Sequence, residues 1–559
     1  YLLALAAGSA WVSWRWRHVV RVESYLARTH VLMALGMLGA VYIVNQLPFW
    51  YLDLFSKWQP DDLFGFLALS LTVVIGVLIP AVFFTGMILP LVLVGAVPLQ
   101  VRQTGTSVGI VYAVNTVGGI FGAVLGGFFL VPLFGTQSTL LGVAVTGALI
   151  GVFFAFKVKE RGGVFWTSLA VSVVVFLGTI LVPEWSLKPL NSAVFEMDKN
   201  RLRYGISSVT RPTAKVLYHR EGPTATVMVL EDGGHRSLRI NGRPNASDLP
   251  GDMSTQVLLS QIPLLLSPKT DKVMVIGFGS GVSTGSALQS QAKEVIAVEI
   301  EPSVVEAGVF FSHVNHDPIK DPRVHVYQDD VRHVLRSSRE KYDVIISGPS
   351  HPWVTGVASL FTKDFFALAR DSLAQEGLFA HWLQAYQMGF HTYQSVLAAF
   401  HEVFPQVLVF RSTRAPGDSI LIGSHRPIQF DLIELERRWT NSSTRDECAR
   451  ADVWGPEDLL AILYAGPEAV KAFVKGAVVN TDDNMYVEFQ APEEMFLRPE
   501  GGIEVIFSRL REHGTPLEAV LTEPHRLFKN RDRLRNLVIA LERRKRPTER
   551  YMELLTELN

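Results

Sequence analysis

The sequence predicts a multi-span α-helical membrane domain followed by an α/β region: a small β domain, a parallel-sheet domain and a helical C-terminus. Three observations predict it. Long apolar, charge-free segments fill the chain before residue 184, and most of the charge lies after it. Residues 214–248 alternate polar and apolar about Asp232-Gly233-Gly234, the pattern of a hairpin. Val273–Ser303 reads as a buried strand, a glycine turn, a helix start and a second buried strand that ends in an acid.

The apolar segments run over about 1–14, 31–51, 63–97, 107–133, 137–156 and 164–182. The first is the tail of a span, and the others approach or exceed the roughly 20 residues that cross a bilayer. The third holds Pro80 and Pro90, and we expect one kinked span that runs into an interfacial piece; two short spans are the alternative. With six spans, the odd loops hold Arg15, Arg17, Arg21, Arg28, Arg102, Lys157, Lys159 and Arg161, and the even loops only Lys57. Loop cations stay in the cytoplasm, so everything after residue 184 is expected outside an inner membrane, in a periplasm. Gly118, Gly122 and Gly126 form a ladder that lets helices touch, and we expect it to pack within the chain. The expected partners are the lipid bilayer and other membrane-protein subunits. A net charge of −1 supplies no basic field for nucleic acid. Spans without Asp, Glu, Lys or Arg argue against ion-coupled transport. Cys448 is the only cysteine, which excludes a disulfide framework and a cysteine zinc site. The chain opens at Tyr1 inside an apolar segment, so residues before it are expected and no targeting signal is read.

The expected boundaries are 1–183 for the spans, 184–270 for a connector and small β domain, and 271–425 for the parallel-sheet domain. A helical extension with a returning strand follows at 426–499, then C-terminal helices at 500–559. In the sheet domain Gly277, Gly279 and Gly281 alternate in a turn that lets a ligand approach backbone N–H groups. Glu299, at the end of the second strand, suits ribose hydroxyls. Asp329 and Asp330 end a third strand, Ser347–Trp353 follow a fourth, and Gln384 and Tyr386 follow a fifth. Ligands bind beyond the carboxyl ends of such strands, so these residues should converge. His313, His316, His325 and His333 lack a clear third metal ligand, and no metal site is assigned. Ser350 beside His351 is a weak nucleophile pair, because neighbours on a loop seldom face each other. Arg543–Arg546 reads as a solvated helix end or a headgroup contact.

INGRPNAS, GFGSGV, VEIEP, DPRV, DDVRHVL, PSHPWVTGVASLFT and NTDDNMYVEF, within 214–492, resemble the spermidine synthase (polyamine aminopropyltransferase) family. The resemblance is closest to its membrane-fused, spermidine synthase-like bacterial members. It implies a small β domain and a class I methyltransferase-like Rossmann domain. It also implies that Gly277, Gly279 and Gly281 hold the amino-acid and ribose end of decarboxylated S-adenosylmethionine or a related adenosyl nucleoside. Glu299 matches the ribose acid and Asp330 the adenine-contacting acid. The acidic D-x-x-D pattern after the fourth strand is replaced here by Gly348 and His351. Ser280 stands in place of a glycine-turn acid, and Thr255-Gln256-Val257 in place of Tyr-His-Glu. Alkyl amines are protonated at pH 7, and an attacking amine needs a group to remove its proton. Gly348 cannot, which leaves the catalytic residue unknown. Further candidate pocket residues are Ser280, Ser347, Ser350, His351, Trp353, Gln384 and Tyr386. Two readings stay open: a binding or structural subunit of a membrane assembly with degenerate carboxylates, or an active aminopropyltransferase-like enzyme that uses an adenosyl donor and an amine acceptor.

Overall fold

The structure, a computed structural model, describes every residue except 16–18, 20, 61, 97–100, 159–161, 195–208, 212, 355, 498–501, 513 and 559, and leaves aside the side chains of 101–104. Arg17, Lys159, Arg161 and the Arg102 side chain, which enter the expected orientation, therefore lie outside the described residues. Contacts divide the chain into two units. The first is Tyr1–Pro212 with His219–Thr226 and Asn241–Arg243; the second is Thr213–Tyr218, Val227–Ile240 and Pro244–Asn559.

In the first unit the helices are α1 (Leu2–Arg15), α2 (Val22–Val44), α3 (Leu47–Trp58), α4 (Leu63–Ala96), α5 (Val101–Leu125), α6 (Val131–Lys157) and α7 (Gly162–Leu181). Four apolar runs are long enough to cross a membrane: Val22–Val44, Leu63–Ala96, Gly105–Lys157 and Gly162–Leu181. The third is broken at Gly135 (φ 79°, ψ 161°), where the sequence places the turn between two segments. The second segment starts at Val22 rather than near 31, so Glu23 and Arg28 lie inside α2. Charged side chains near a helix end reach toward the polar interface, which makes this longer helix tolerable. The segment also stops early, because Pro48 starts the separate helix α3. Leu63–Ala96 is a single 34-residue helix with no separate interfacial piece.

Close helix contacts use other glycines than the expected ones. A Cβ on Gly8 would lie 2.1 Å from the Phe83 carbonyl oxygen, and one on Gly86 2.3 Å from that of Leu5, so α1 and α4 meet backbone to backbone. Gly151 brings α6 close to α2, where a Cβ would lie 2.4 Å from a Val31 methyl and 3.1 Å from the Ala27 carbonyl oxygen. At Gly118, Gly122 and Gly126 an added Cβ meets nothing within 4 Å, which corrects the expected intramolecular packing. Spacing shows which residues are small, not which face has a neighbour. Polar residues fasten the segment that follows α7: Asn45 Oδ1 accepts from Ser186 N at 2.7 Å, and Gln137 Oε1 from Trp185 N at 3.0 Å.

The second unit holds the larger of two sheets and most of the smaller one. Strands β1 (Lys215–Glu221), β2 (Thr226–Asp232), β3 (His235–Ile240) and β4 (Arg243–Ser247) lie in sequence order, with β2 and β3 paired antiparallel about the Gly233-Gly234 turn. The larger sheet uses β5 (Lys272–Ile276), β6 (Glu294–Val298), β7 (Val324–Tyr327), β8 (Tyr342–Ser347), β9 (Leu373–Gln384), β10 (Gln406–Phe410), β11 (Asp418–Ser424) and β12 (Leu463–Ala465). Its order is β12-β10-β11-β9-β8-β5-β6-β7. β5 to β9 pair parallel; β9–β11, β11–β10 and β10–β12 pair antiparallel. The parallel half is a Rossmann-like sheet, and its order reverses between β5 and β8, where such sheets open a ligand crevice. The Pro250–Leu266 helix packs its Val257, Leu258 and Ile262 in one core, against Val275, Ile346, Ala380 and Ile420 on one face of the sheet. Phe365, Phe379, Phe400 and Phe404 belong to the core on the other face.

Two expectations about the C-terminal region are corrected. Asn480–Phe489 is not a returning strand but a turn leading into the Tyr486–Leu497 helix. The buried Asn480 amide donates to Phe361 O (2.9 Å) and accepts from Val487 N (3.1 Å), so these polar groups lock the turn and leave no ladder to extend. The edge strand on the antiparallel side of the sheet is β12. Arg543–Arg546 is not a solvated helix end either: Arg544 pairs with Asp458, and Arg546 donates to the carbonyls of Ala461 and Leu463.

Candidate functional site

The turn after β5 has the backbone that its glycines were expected to supply. Gly277, Gly279 and Gly281 have φ of 83°, 54° and 80°, the left-handed region that glycine enters without penalty. A Cβ at Gly277 would lie 2.9 Å from the Gly348 carbonyl oxygen, so the turn and the loop after β8 touch at the order reversal. A Cβ at Gly279 would meet nothing within 4 Å, which leaves that part of the turn open to a ligand.

Glu299 stands just past β6, 9% exposed. Its carboxylate accepts from Phe278 N at 2.9 Å and Glu301 N at 3.0 Å. Burial pushes its pKa up, against those two N–H donors, which favour the charge. A carboxylate has about four lone-pair directions, so these backbone donors leave acceptor capacity for ribose hydroxyls. Asp330 caps the Val331–Ser337 helix by accepting from Arg332 N (2.7 Å) and is otherwise exposed beyond β7. Gly turn, Glu299 and Asp330 thus lie at the carboxyl ends of three adjacent strands. An adenosyl nucleoside fits this donor and acceptor set.

Two departures from the family pattern meet. Ser280 donates its hydroxyl to Gln256 Oε1 at 2.5 Å, and Gln256 donates to Ser247 O at 3.1 Å. Ser350 Oγ accepts from Asn245 at 2.6 Å and does not face His351. His351 sits among aromatic rings: it stacks on Trp353 (4.7 Å between centroids, 26°) and meets Trp382 and Tyr386 edge-on at 5.6 and 5.9 Å. Its Nε2 lies 3.2 Å from the Tyr386 hydroxyl. Ser347 turns away from this group. It bonds to His381 Nδ1 at 3.1 Å, among Phe361 and Phe366, where burial pushes the His381 imidazole down to about 3. His313, His316 and His333 each pair with a different acid: Asp248, Glu447 and Asp329.

Sequence reasoning missed two acids here. Asp418 begins β11, and its Oδ2 accepts from the Thr255 hydroxyl at 2.6 Å. Burial pushes its carboxyl up to about 6, with the charge of Asp252 adding to the rise. Trp382 lies near enough to favour the Asp418 charge, although its indole N–H completes no hydrogen bond of ordinary geometry. Asp252, in the first turn of the Pro250–Leu266 helix, accepts from Ser247. Burial raises its pKa as well, though much of the residue is solvent-exposed and screening tempers the effect. Burial and then the charges of Asp418 and Asp252 push the Tyr386 hydroxyl well above its usual range, so it stays protonated. A charged residue at the head of a buried run, Asp418 before SILIGS, was the available signal.

Similarity to known proteins agrees with this geometry. The parallel sheet with its glycine turn and strand-end acids is that of a Rossmann-like domain. Residues 253–414 match the family model of the Spermine/spermidine synthase domain. The chain is 23% identical over 327 residues to a polyamine aminopropyltransferase of Oceanobacillus iheyensis, covering 58% of this chain and 59% of that one. It is 29% identical over 232 residues to one from Korarchaeum cryptofilum, covering 40% and 70%. Among solved structures it is similar to spermidine synthase from Thermotoga maritima, with a TM-score of 0.39, 21% identity, and coverage of 47% and 88%. The second unit carries a spermidine synthase-like domain. The chain spans only 59% of the Oceanobacillus relative's length.

Proposed function

We propose that this is a membrane-anchored, spermidine synthase-like protein whose second unit binds an adenosyl nucleoside, of the type of decarboxylated S-adenosylmethionine, in the crevice between β5 and β8. The observation that carries the reading is the open glycine turn beside the buried Glu299 carboxylate. In the relatives' loop pattern the proton-accepting acid falls at Gly348, so the usual carboxylate route is closed and we read the protein as a binding subunit. The four apolar runs support an anchor in a bilayer. The open Gly118–Gly122–Gly126 face supports a membrane assembly with other subunits, and the loop cations support an extracytoplasmic second unit. Equilibrium dialysis of radiolabelled decarboxylated S-adenosylmethionine against the detergent-solubilised full chain tests the binding. Retention that excess methylthioadenosine displaces is expected; no retention by folded protein removes the reading.

One observation favours the enzymatic alternative, an aminopropyltransferase-like activity as in the relatives' names. The His351 imidazole, 3.2 Å from Tyr386, lies where a base would serve. In that reading His351 takes the proton released when an amine lone pair forms a C–N bond at the propyl carbon. The C–S bond breaks with its electron pair remaining on sulfur, which frees methylthioadenosine. Methylthioadenosine release that requires both donor and amine, and disappears in His351→Gln, would establish it; no release at saturating donor and amine would exclude it.

A further inference from the structure

The half of the site that would hold an amine lacks the acids that the family pattern places on its loop, yet a strand supplies one. Asp418 lies directly across from Gln384 in the β9–β11 pairing. Opposite residues in an antiparallel pair present their side chains on one face, with Cβ atoms about 5 Å apart. That face is the one on which the Pro250–Leu266 helix packs, since Thr255 of this helix reaches Asp418 and Ile420 shares its core. Trp382 is two residues before Gln384 on β9 and so shares this face.

Gln384 is 0% exposed, and neither its amide oxygen nor its nitrogen has a hydrogen-bond partner. Asp418 Oδ1 is buried and unpartnered too. No Lys or Arg among the described residues forms an ion pair with Asp418. Buried polar groups in folded proteins are nearly always paired, and unmatched ones call for a partner. An acceptor carboxylate oxygen and an amide oxygen on one face, beside an indole ring, form a receptor for a group with several N–H donors and a positive charge. A protonated primary amine has three such donors, and an aromatic face favours its charge. Both Asp252 and Asp418 lie outside the residues matched by the family model.

We propose that Asp418, with Gln384 beside it, anchors a protonated primary amine and so replaces the loop acids absent at Gly348 and His351. The proposal rests on the aminopropyltransferase-like reading of the site and assigns its specificity to β9 and β11 rather than to the loop after β8. The ammonium is held by N–H bonds to Asp418 Oδ1 and Gln384 Oε1, with Asp252 adding negative potential. A quaternary ammonium, which has no N–H, and an alcohol, which has no charge, are both disfavoured.

The test is calorimetric titration of the detergent-solubilised full chain with 1,4-diaminobutane, with tetramethylammonium and with 1,4-butanediol. Methylthioadenosine is titrated separately into each variant. The expected result is binding of the diamine alone, weakened at least 30-fold in Asp418→Asn and at least 10-fold in Gln384→Leu. Methylthioadenosine affinity should stay within twofold in both variants. Diamine binding unchanged in Asp418→Asn overturns the proposal, as does the absence of diamine binding in wild-type protein that still binds methylthioadenosine. If wild-type protein binds the diamine but not methylthioadenosine, the nucleoside reading fails, and the two variants still decide the anchor.

Discussion

Replacing Asp418 by Asn should stabilise the ligand-free second unit, and the pH dependence of the gain identifies its cause. The Asp418 carboxyl is pushed from 3.8 to about 6 in the folded protein. Because the folded value is raised, the native state holds the proton more tightly than the unfolded chain does. Ionisation therefore costs stability: nothing well below 3.8, increasingly through the window from 3.8 to 6, and fully above it. A shift of about two units corresponds to about 3 kcal/mol at pH 8, an upper bound because Asp418 is only partly buried and nearby water screens it. By pH 5 the cost falls to roughly half of that. Asn keeps an acceptor for the Thr255 hydroxyl and offers N–H groups to the unpaired Gln384, so the substitution removes the charge without opening a cavity. The assay is hydrogen exchange of β9 and β11 amides in the full chain, wild type against Asp418→Asn, at pH 8 and pH 5. Greater protection in the variant at pH 8, with the difference about halved at pH 5, is expected. Equal protection at pH 8, or a pH-independent difference, would refute the reasoning.

The glycine turn should separate two substitutions of the same size. Gly277→Ala adds a Cβ against the Gly348 carbonyl oxygen as well as a left-handed φ, and should destabilise the ligand-free fold the more; Gly279→Ala meets open space and should cost the ligand-free fold only about 1–2 kcal/mol of backbone strain, read by thermal unfolding, while its methyl on the face left open to a ligand weakens nucleoside binding. Restoring an acid with Gly348→Asp places a Cβ 3.2 Å from a Leu259 methyl, the end of a flexible side chain, so the variant should fold with a loss of about 1 kcal/mol in hydrogen-exchange protection. Asn480→Ala should cost about 1–3 kcal/mol and expose the Tyr486–Leu497 helix to proteolysis, because it leaves Phe361 O and Val487 N without their partner.

The parts of this fold that sequence made legible are those where one short segment dictates its own geometry. Gly277, Gly279 and Gly281 announce positive φ because few other residues accept it, and Glu299 follows at the end of an unbroken apolar strand. The amine half was legible only at Gln384, because it is assembled from far-apart pieces. Thr255, Gln384 and Asp418 come from a helix and two strands, and only the antiparallel β9–β11 register sets Asp418 opposite Gln384. Strands β10 and β11 were themselves unforeseen, as short apolar runs that carry no turn signature. NTDDNMYVEF misled in the other direction: its MYVEF end reads as a strand, but the Asn480 amide spends its hydrogen bonds on a turn. The Gly118 ladder failed for a related reason, since a small-residue face shows close packing only where the fold supplies a second helix.

The most direct measurement is a calorimetric titration of the full chain in detergent with methylthioadenosine, in wild type and in Glu299→Gln. Glu299 is the buried carboxylate that accepts from the Phe278 N–H of the glycine turn, and the amide would set an N–H group against a backbone donor. Saturable binding by wild type, weakened at least tenfold in a Glu299→Gln protein with unchanged melting, is the predicted result. Wild-type protein that melts cooperatively and releases no binding heat at any accessible concentration, or a variant that binds as well as wild type, would contradict the account.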